Sequence, residues 1–181
     1  MELTKPFPVL ETKRLFLREV VPSDAASILT YLSDQEVMEY FGMEPFQSEQ
    51  DALEEIQWYN EIFSNKTGIR WGITIKGNDA VIGSCGFHDL SKKHVRGEIG
   101  AELSKDYWRK GIMTEALSAI IPYGFNHFNL MRIQALIEPP NTASIRLFER
   151  IGFSREGLLR KYEYTCGKFD DLYMYSLLKT D

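Results

Sequence analysis

The middle of the chain leaves few topologies open. Arg70–Lys76 and Ala80–Phe87 are β-rich runs separated by Gly77-Asn78-Asp79, the composition of a hairpin turn. A second polar turn, Ser91-Lys92-Lys93-His94, leads into a third run, Val95–Leu103. The helical stretch Gly111–Phe128 then precedes a strand-like run, Arg132–Glu138. Short turns join antiparallel neighbours, whereas a strand reached through a helix favours a parallel neighbour. The pattern predicts a mixed sheet with helices on its faces, an α/β (α+β) architecture.

The flanking segments extend this plan. Arg14–Val20 alternates as a first strand. Pro22-Ser23-Asp24 opens a helix with Ala25, Ile28, Leu29 and Leu32 on one face, and Asp34–Phe41 reads as a short helix. Ser48–Phe63 is a clearer one, with Ser48 and Asp51 spaced as a capping pair. Pro122 should kink or interrupt the Gly111–Phe128 helix, at a cost of about 3 kcal/mol unless the site adapts. Asn141–Arg150 is a helix stopped by Gly152, and Ser154–Lys161 and Leu172–Leu178 are strand-like. No linker or repeat divides the 181 residues, so one domain spanning 1–181 is expected, long enough to bury a core without staples.

Composition excludes several functions. Two cysteines, Cys85 and Cys166, give no disulfide framework, and three scattered histidines do not suit a metal site. A net charge of −5 disfavours an electrostatic grip on nucleic acid, but not on amines or basic peptides. With no leader and no long apolar run, a cytoplasmic protein without membrane contact is expected.

Glu98–Ala116 is the stretch that carries chemistry. A strand ends, a turn with Arg109 and Lys110 follows, and a helix starts at Gly111. Free N–H groups and partial positive charge at a helix N-terminus suit a phosphate or pyrophosphate. Neither a Walker loop nor a dinucleotide fingerprint is present. The plain alternative is a solvated basic turn before a core helix. In the second informative segment, Asn141–Phe153, Asn141 can cap a helix and Ser144 falls in its first turn.

Together these segments resemble the GNAT N-acetyltransferase superfamily, and within it the RimJ/RimL-like ribosomal-protein N-terminal acetyltransferases. The family's Q/R-x-x-G-x-G/A frame falls on Trp108–Met113, where only Gly111 matches. Tyr107-Trp108-x-Lys110-Gly111-x-x-Thr114-Glu115-Ala116 has the look of that branch. So do the Asn141-x-x-Ser144 stretch and the opening Glu11-Thr12-Lys13-Arg14-Leu15-x-Leu17-Arg18.

The resemblance implies the GNAT fold, whose fourth and fifth strands splay apart; here these are Val95–Leu103 and Arg132–Glu138. It implies acetyl transfer from acetyl-CoA, without a metal, to a primary amine. Ala101 to Leu103 would pair with the pantetheine arm, and Arg109, Lys110, Gly111, Ile112, Met113 and Thr114 would hold the pyrophosphate. Asn141 would reach the pantetheine or the acceptor. The expected acceptor is a protein N-terminus, with a small amine such as a polyamine, aminoglycoside or amino acid as the alternative. A non-catalytic acetyl-CoA-binding module is a third reading, and a homo-oligomer is compatible with all three.

Glu98 and Glu102 share a strand face unless a family-typical bulge at Gly100 breaks the register. Glu98 is the candidate base or water-orienting residue; the alternative is an exposed strand carboxylate. Glu115 and Glu138 are further candidates, with Glu115 better suited to the helix dipole. The RimI-type proton donor and base fall on Phe148 and Leu136, which cannot serve. Ser144 matches the serine that RimJ/RimL-like enzymes place near the sulfur, so it is the candidate thiolate donor or stabiliser. Trp58, Tyr59, Trp71 and His88 are left to the core or the pocket wall.

Overall fold

Two helical layers cover both faces of one sheet, and this decides which polar residues end up inside. The structure, a computed structural model, describes residues 6–181. Its strands are β1 (Leu10–Glu11), β2 (Leu15–Arg18), β3 (Ile69–Ile75), β4 (Asn78–Ser91), β5 (Arg96–Leu103), β6 (Arg132–Ile137), β7 (Ser154–Thr165) and β8 (Lys168–Leu178). The helices are α1 (Ala25–Leu32), α2 (Gln35–Met38), α3 (Glu49–Ser64), α4 (Ile112–His127) and α5 (Thr142–Arg150). Strand order is β1-β2-β3-β4-β5-β6-β8-β7, antiparallel throughout except for β5 and β6. The crossover through α4 produces that parallel pair, as expected.

The β3 sequence explains the layering. Ile69, Trp71 and Ile73 join the core that includes Ile112, Ala116, Leu117 and Ile120 of α4. Arg70, Gly72 and Thr74 alternate onto the other face, beneath the second cluster formed by α1, α2 and α3. Ser48 and Asp51 close a reciprocal capping box at the start of α3.

Three expectations are corrected. α4 runs through Pro122 without interruption, because Pro122 and Ser118 are exposed and the carbonyl of Ser118 can bond to water. No bulge occurs at Gly100: the β4/β5 register is continuous from Gly83↔Leu103 to His88↔Glu98. Gly86 faces Gly100 there, and the Arg70 guanidinium fills the space, since a Cβ on Gly100 would lie 2.8 Å from Arg70 Nη1. The final hairpin is longer than Ser154–Lys161 with Leu172–Leu178. It closes at Cys166-Gly167, both with positive φ (47° and 78°), as a two-residue turn between twisted strands demands.

A Cβ on Gly86 would sit 2.1 Å from the carbonyl oxygen of Ile69, a backbone atom that cannot swing away. Gly86→Ala should lower unfolding free energy by about 1–3 kcal/mol in a denaturant titration. Gly157→Ala, with open space around its Cβ, is the control. Equal midpoints for the two would show that the sheet relaxes at Gly86.

Candidate active site at the strand fork

β5 and β6 share only three rungs: Arg96↔Arg132, Gly97↔Ile133 and Glu98↔Gln134. Beyond Glu98 the strands part, and β5 runs on to Leu103 paired with β4 alone. This is the splay that the sequence resemblance implies. It leaves backbone edges facing a gap in the middle of a sheet, which an extended amide-bearing ligand can satisfy.

A cleft of about 880 Å³ opens at the fork. Glu98, Gly100, Ala101, Leu136, Asn141 and Ser144 are among the residues lining it. Glu54, Glu55 and Trp58 of α3 form part of another wall. The four residues Glu98, Ala101, Asn141 and Ser144, far apart in sequence, are thus brought to one cavity.

Glu98 occupies the last rung before the strands part. Gln134 Nε2 donates to Glu98 Oε2 at 3.3 Å, and His88 Nε2 lies 3.8 Å from Glu98 Oε1. Burial pushes the Glu98 carboxyl above the usual carboxylate range, against the opposing pull of His88 and Gln134. Gln134 had no sequence signal, and His88 had none that separated it from a core histidine. Both follow from register, since His88, Glu98 and Gln134 sit abreast on β4, β5 and β6.

Asn141 caps α5, its Oδ1 accepting from the backbone N–H of Ser144 at 3.1 Å. Ser144 therefore sits in the first turn with its hydroxyl free among the described residues. Phe148 is buried one turn further along and lines the same cleft.

The floor is polar and fixed. Arg70, 6% exposed, pairs with Glu102 and donates from Nε to Ser84 Oγ at 2.7 Å. Ser84 also donates to Glu102 and meets Tyr59 Oη at 3.3 Å. Burial works hardest against the Arg70 charge, but the surrounding acidic groups together, Glu102 first among them, outweigh it and the arginine stays protonated. Glu102 is therefore structural.

The remaining candidates separate. Arg109, Lys110, Gly111, Ile112, Met113 and Thr114 lie outside the cleft lining, at the start of α4. Arg109 and Gly111 hold positive φ (60° and 73°), the left-handed backbone from which anion-binding nests are built. Leu103 is buried, and its carbonyl accepts the Trp108 indole N–H at 2.7 Å. Glu138 lines the cleft, raised by burial, while Lys168 lies 3.8 Å away. Glu115 is not a base: burial opposes its charge, yet bonds from Thr12 and Arg14 hold the carboxyl at about 2. Tyr59 and Trp71 are core, whereas Trp58 reaches the cleft. Cys85 is buried, its thiol pushed up to about 12 by burial, which removes it as a nucleophile.

The acetyltransferase (GNAT) domain model matches residues 14–154. The chain belongs to the GNAT acetyltransferase family. This GNAT protein is 42% identical over 173 residues to YoaA of Bacillus subtilis (strain 168), an uncharacterized N-acetyltransferase, covering 96% of the chain and 98% of YoaA. It is 34% identical over 119 residues to YdaF of the same organism, whose name assigns it provisionally to ribosomal N-acetylation; the match covers 66% of the chain and 64% of YdaF. In fold it resembles a spermidine N-acetyltransferase from Vibrio cholerae solved with CoA and spermine (TM-score 0.79, 23% identity, 93% of the chain and 98% of that structure). The GNAT chain is an N-acetyltransferase, and acetyl-CoA is the donor that its fold supports. Among the described residues, no helix is long and apolar enough to cross a membrane.

Proposed function

We propose that the chain moves an acetyl group directly from acetyl-CoA to the α-amine of a protein or peptide N-terminus. The observation that carries this is the position of Glu98: a desolvated carboxylate at the last rung before the strands part, in the cleft that Ser144 also lines. The pantetheine arm lies along the free edge of β5 beyond Glu98, near Ala101. Asn141 offers its remaining amide hydrogens to it, and the N–H groups of Arg109 to Thr114 take the pyrophosphate.

The amine nitrogen attacks the thioester carbonyl carbon while Glu98, directly or through one water, takes the proton that the ammonium must lose. The C–S bond then breaks, and the second proton left on the nitrogen passes through the Ser144 hydroxyl to the departing thiolate, giving the amide and free CoA thiol. Direct transfer fits because the buried Cys85 thiol is unsuited to carrying an acyl group. An α-amine suits a single carboxylate base. With a pKa near 8, roughly a tenth of it is neutral at pH 7, against well under a thousandth of a lysine near 10.4. The likeness to YdaF, whose name points to the ribosome, supports a macromolecular acceptor.

One observation favours a second reading, a small polycationic amine. Glu54, Glu55, Glu98, Glu138 and Glu163 line the cleft against a single arginine, Arg70, already paired with Glu102. Free-thiol release from acetyl-CoA, measured against peptides of varied N-termini, polyamines and aminoglycosides, separates the two. Turnover confined to one class of peptide N-terminus is the expected result. Turnover confined to small amines would keep the chemistry and replace the acceptor.

A further inference from the structure

Neither the Glu11–Arg18 run nor Glu115 takes part in the chemistry at the fork, yet the two meet across about a hundred residues of chain. Thr12 Oγ1 donates to Glu115 Oε1 at 2.6 Å, and the Arg14 backbone N–H donates to the same oxygen at 2.8 Å. Arg14 Nε donates to Glu115 Oε2 at 2.6 Å. Both oxygens of one carboxylate are thus used, and the first turn of α4 is tied to the turn between β1 and β2. Three donors on an ionised carboxylate make this among the stronger kinds of surface contact.

The arginine does more than close an ion pair. Its Nη1 donates to the carbonyl oxygen of Lys110 at 2.9 Å, and its Nη2 lies 3.4 Å from where a Cβ on Gly111 would be. In a trans peptide the C=O of one residue and the N–H of the next point in opposite directions. Drawing the Lys110 carbonyl toward Arg14 therefore turns the Gly111 N–H away from it, to the outside of the loop. Arg109 and Gly111, on either side of Lys110, hold positive φ, which for Arg109 is a strained conformation that needs outside support.

We propose that Arg14, held by Glu115, which Thr12 secures in turn, is a positioning residue that keeps the Arg109–Thr114 loop in its anion-receiving form. The clasp is then read out as affinity for the pyrophosphate part of acetyl-CoA. This rests on the reading that the loop receives that pyrophosphate.

The test compares ligands with and without the group. CoA is titrated calorimetrically into the wild-type protein and into Glu115→Gln. Thiol release is followed with acetyl-CoA and with acetyl-pantetheine, which has no pyrophosphate. Glu115→Gln should weaken CoA binding on the order of tenfold, as expected for loss of a charge-assisted contact. The loss should fall on the KM for acetyl-CoA rather than on kcat, and kcat/KM for acetyl-pantetheine should stay at the wild-type value. Thr12→Val removes one of the three bonds and leaves the ion pair. It should shift CoA affinity in the same direction by less, and it serves if the glutamine variant does not fold. Equal losses for both thioesters would overturn the proposal and leave the clasp as general support of the fold, and an unchanged CoA affinity would overturn it outright. If the wild-type protein itself uses acetyl-CoA no better than acetyl-pantetheine, the pyrophosphate reading of the loop fails first.

Discussion

Glu98→Gln is expected to lower kcat/KM by about 10²- to 10⁴-fold, the range for removing a positioned general base. The glutamine keeps the shape of the side chain and its hydrogen bond with Gln134, so the fold and CoA affinity should hold. The pH dependence gives a sharper reading. Glu98 works as a base only when ionised, and burial has moved its carboxyl above the ordinary carboxylate range. The kcat profile of the wild-type enzyme should therefore fall on its acid side at a pH above that of an exposed glutamate. In Glu98→Gln that limb should vanish, leaving the slope that belongs to the acceptor amine. His88→Gln removes a partner that favours the charged form, so the same limb should move to higher pH. A profile whose acid limb survives in Glu98→Gln would assign the proton to another group.

Ser144→Ala is expected to cost on the order of 10² in kcat, as loss of a donor to developing negative charge does elsewhere. Because Asn141 caps the backbone N–H of Ser144 and not its hydroxyl, the alanine leaves the start of α5 intact. Stability should stay within about 0.5 kcal/mol of wild type, as for a substitution that breaks no contact. An acetyl thioester with a more acidic leaving thiol should be less sensitive to the substitution than acetyl-CoA, since its thiolate needs less help. A loss below threefold with acetyl-CoA would take Ser144 out of the mechanism.

The antiparallel block was legible because its turns were. Gly77-Asn78-Asp79 and the polar run Ser91–His94 mark two reversals, which the structure closes about one residue away, at Lys76-Gly77 and Lys92–Val95, and the helix before Arg132 forces the parallel step. The far end of the last hairpin was not legible. Tyr162, Tyr164 and Phe169 are all exposed there, so no apolar-in, polar-out alternation marks the strands. Pro122 misled because its effect depends on which side of α4 meets water, which only packing decides.

At the site, Asn141, Ser144 and Gly111 were singled out by the family resemblance, which rests on their neighbours in sequence. His88 and Gln134 are brought beside Glu98 by cross-strand register. A single glutamate in a strand does not announce which residues stand beside it two strands away. The buried Arg70 was hidden for a related reason. The alternation in β3 gives it a polar face, and only the helices folded over that face reveal a charge enclosed with Glu102.

The three rungs between β5 and β6 have a mechanical consequence. Five strands lie on one side of that seam and three on the other, and the hydrogen bonds crossing it are few for a sheet of this size. The seam acts as a notch, and Glu98 with Gln134 stands at the tip, where any opening or closing of the two halves is concentrated. A ligand laid into the gap sutures the halves together. On the reading proposed above, the geometry around the Glu98 carboxylate then depends on whether the gap is filled.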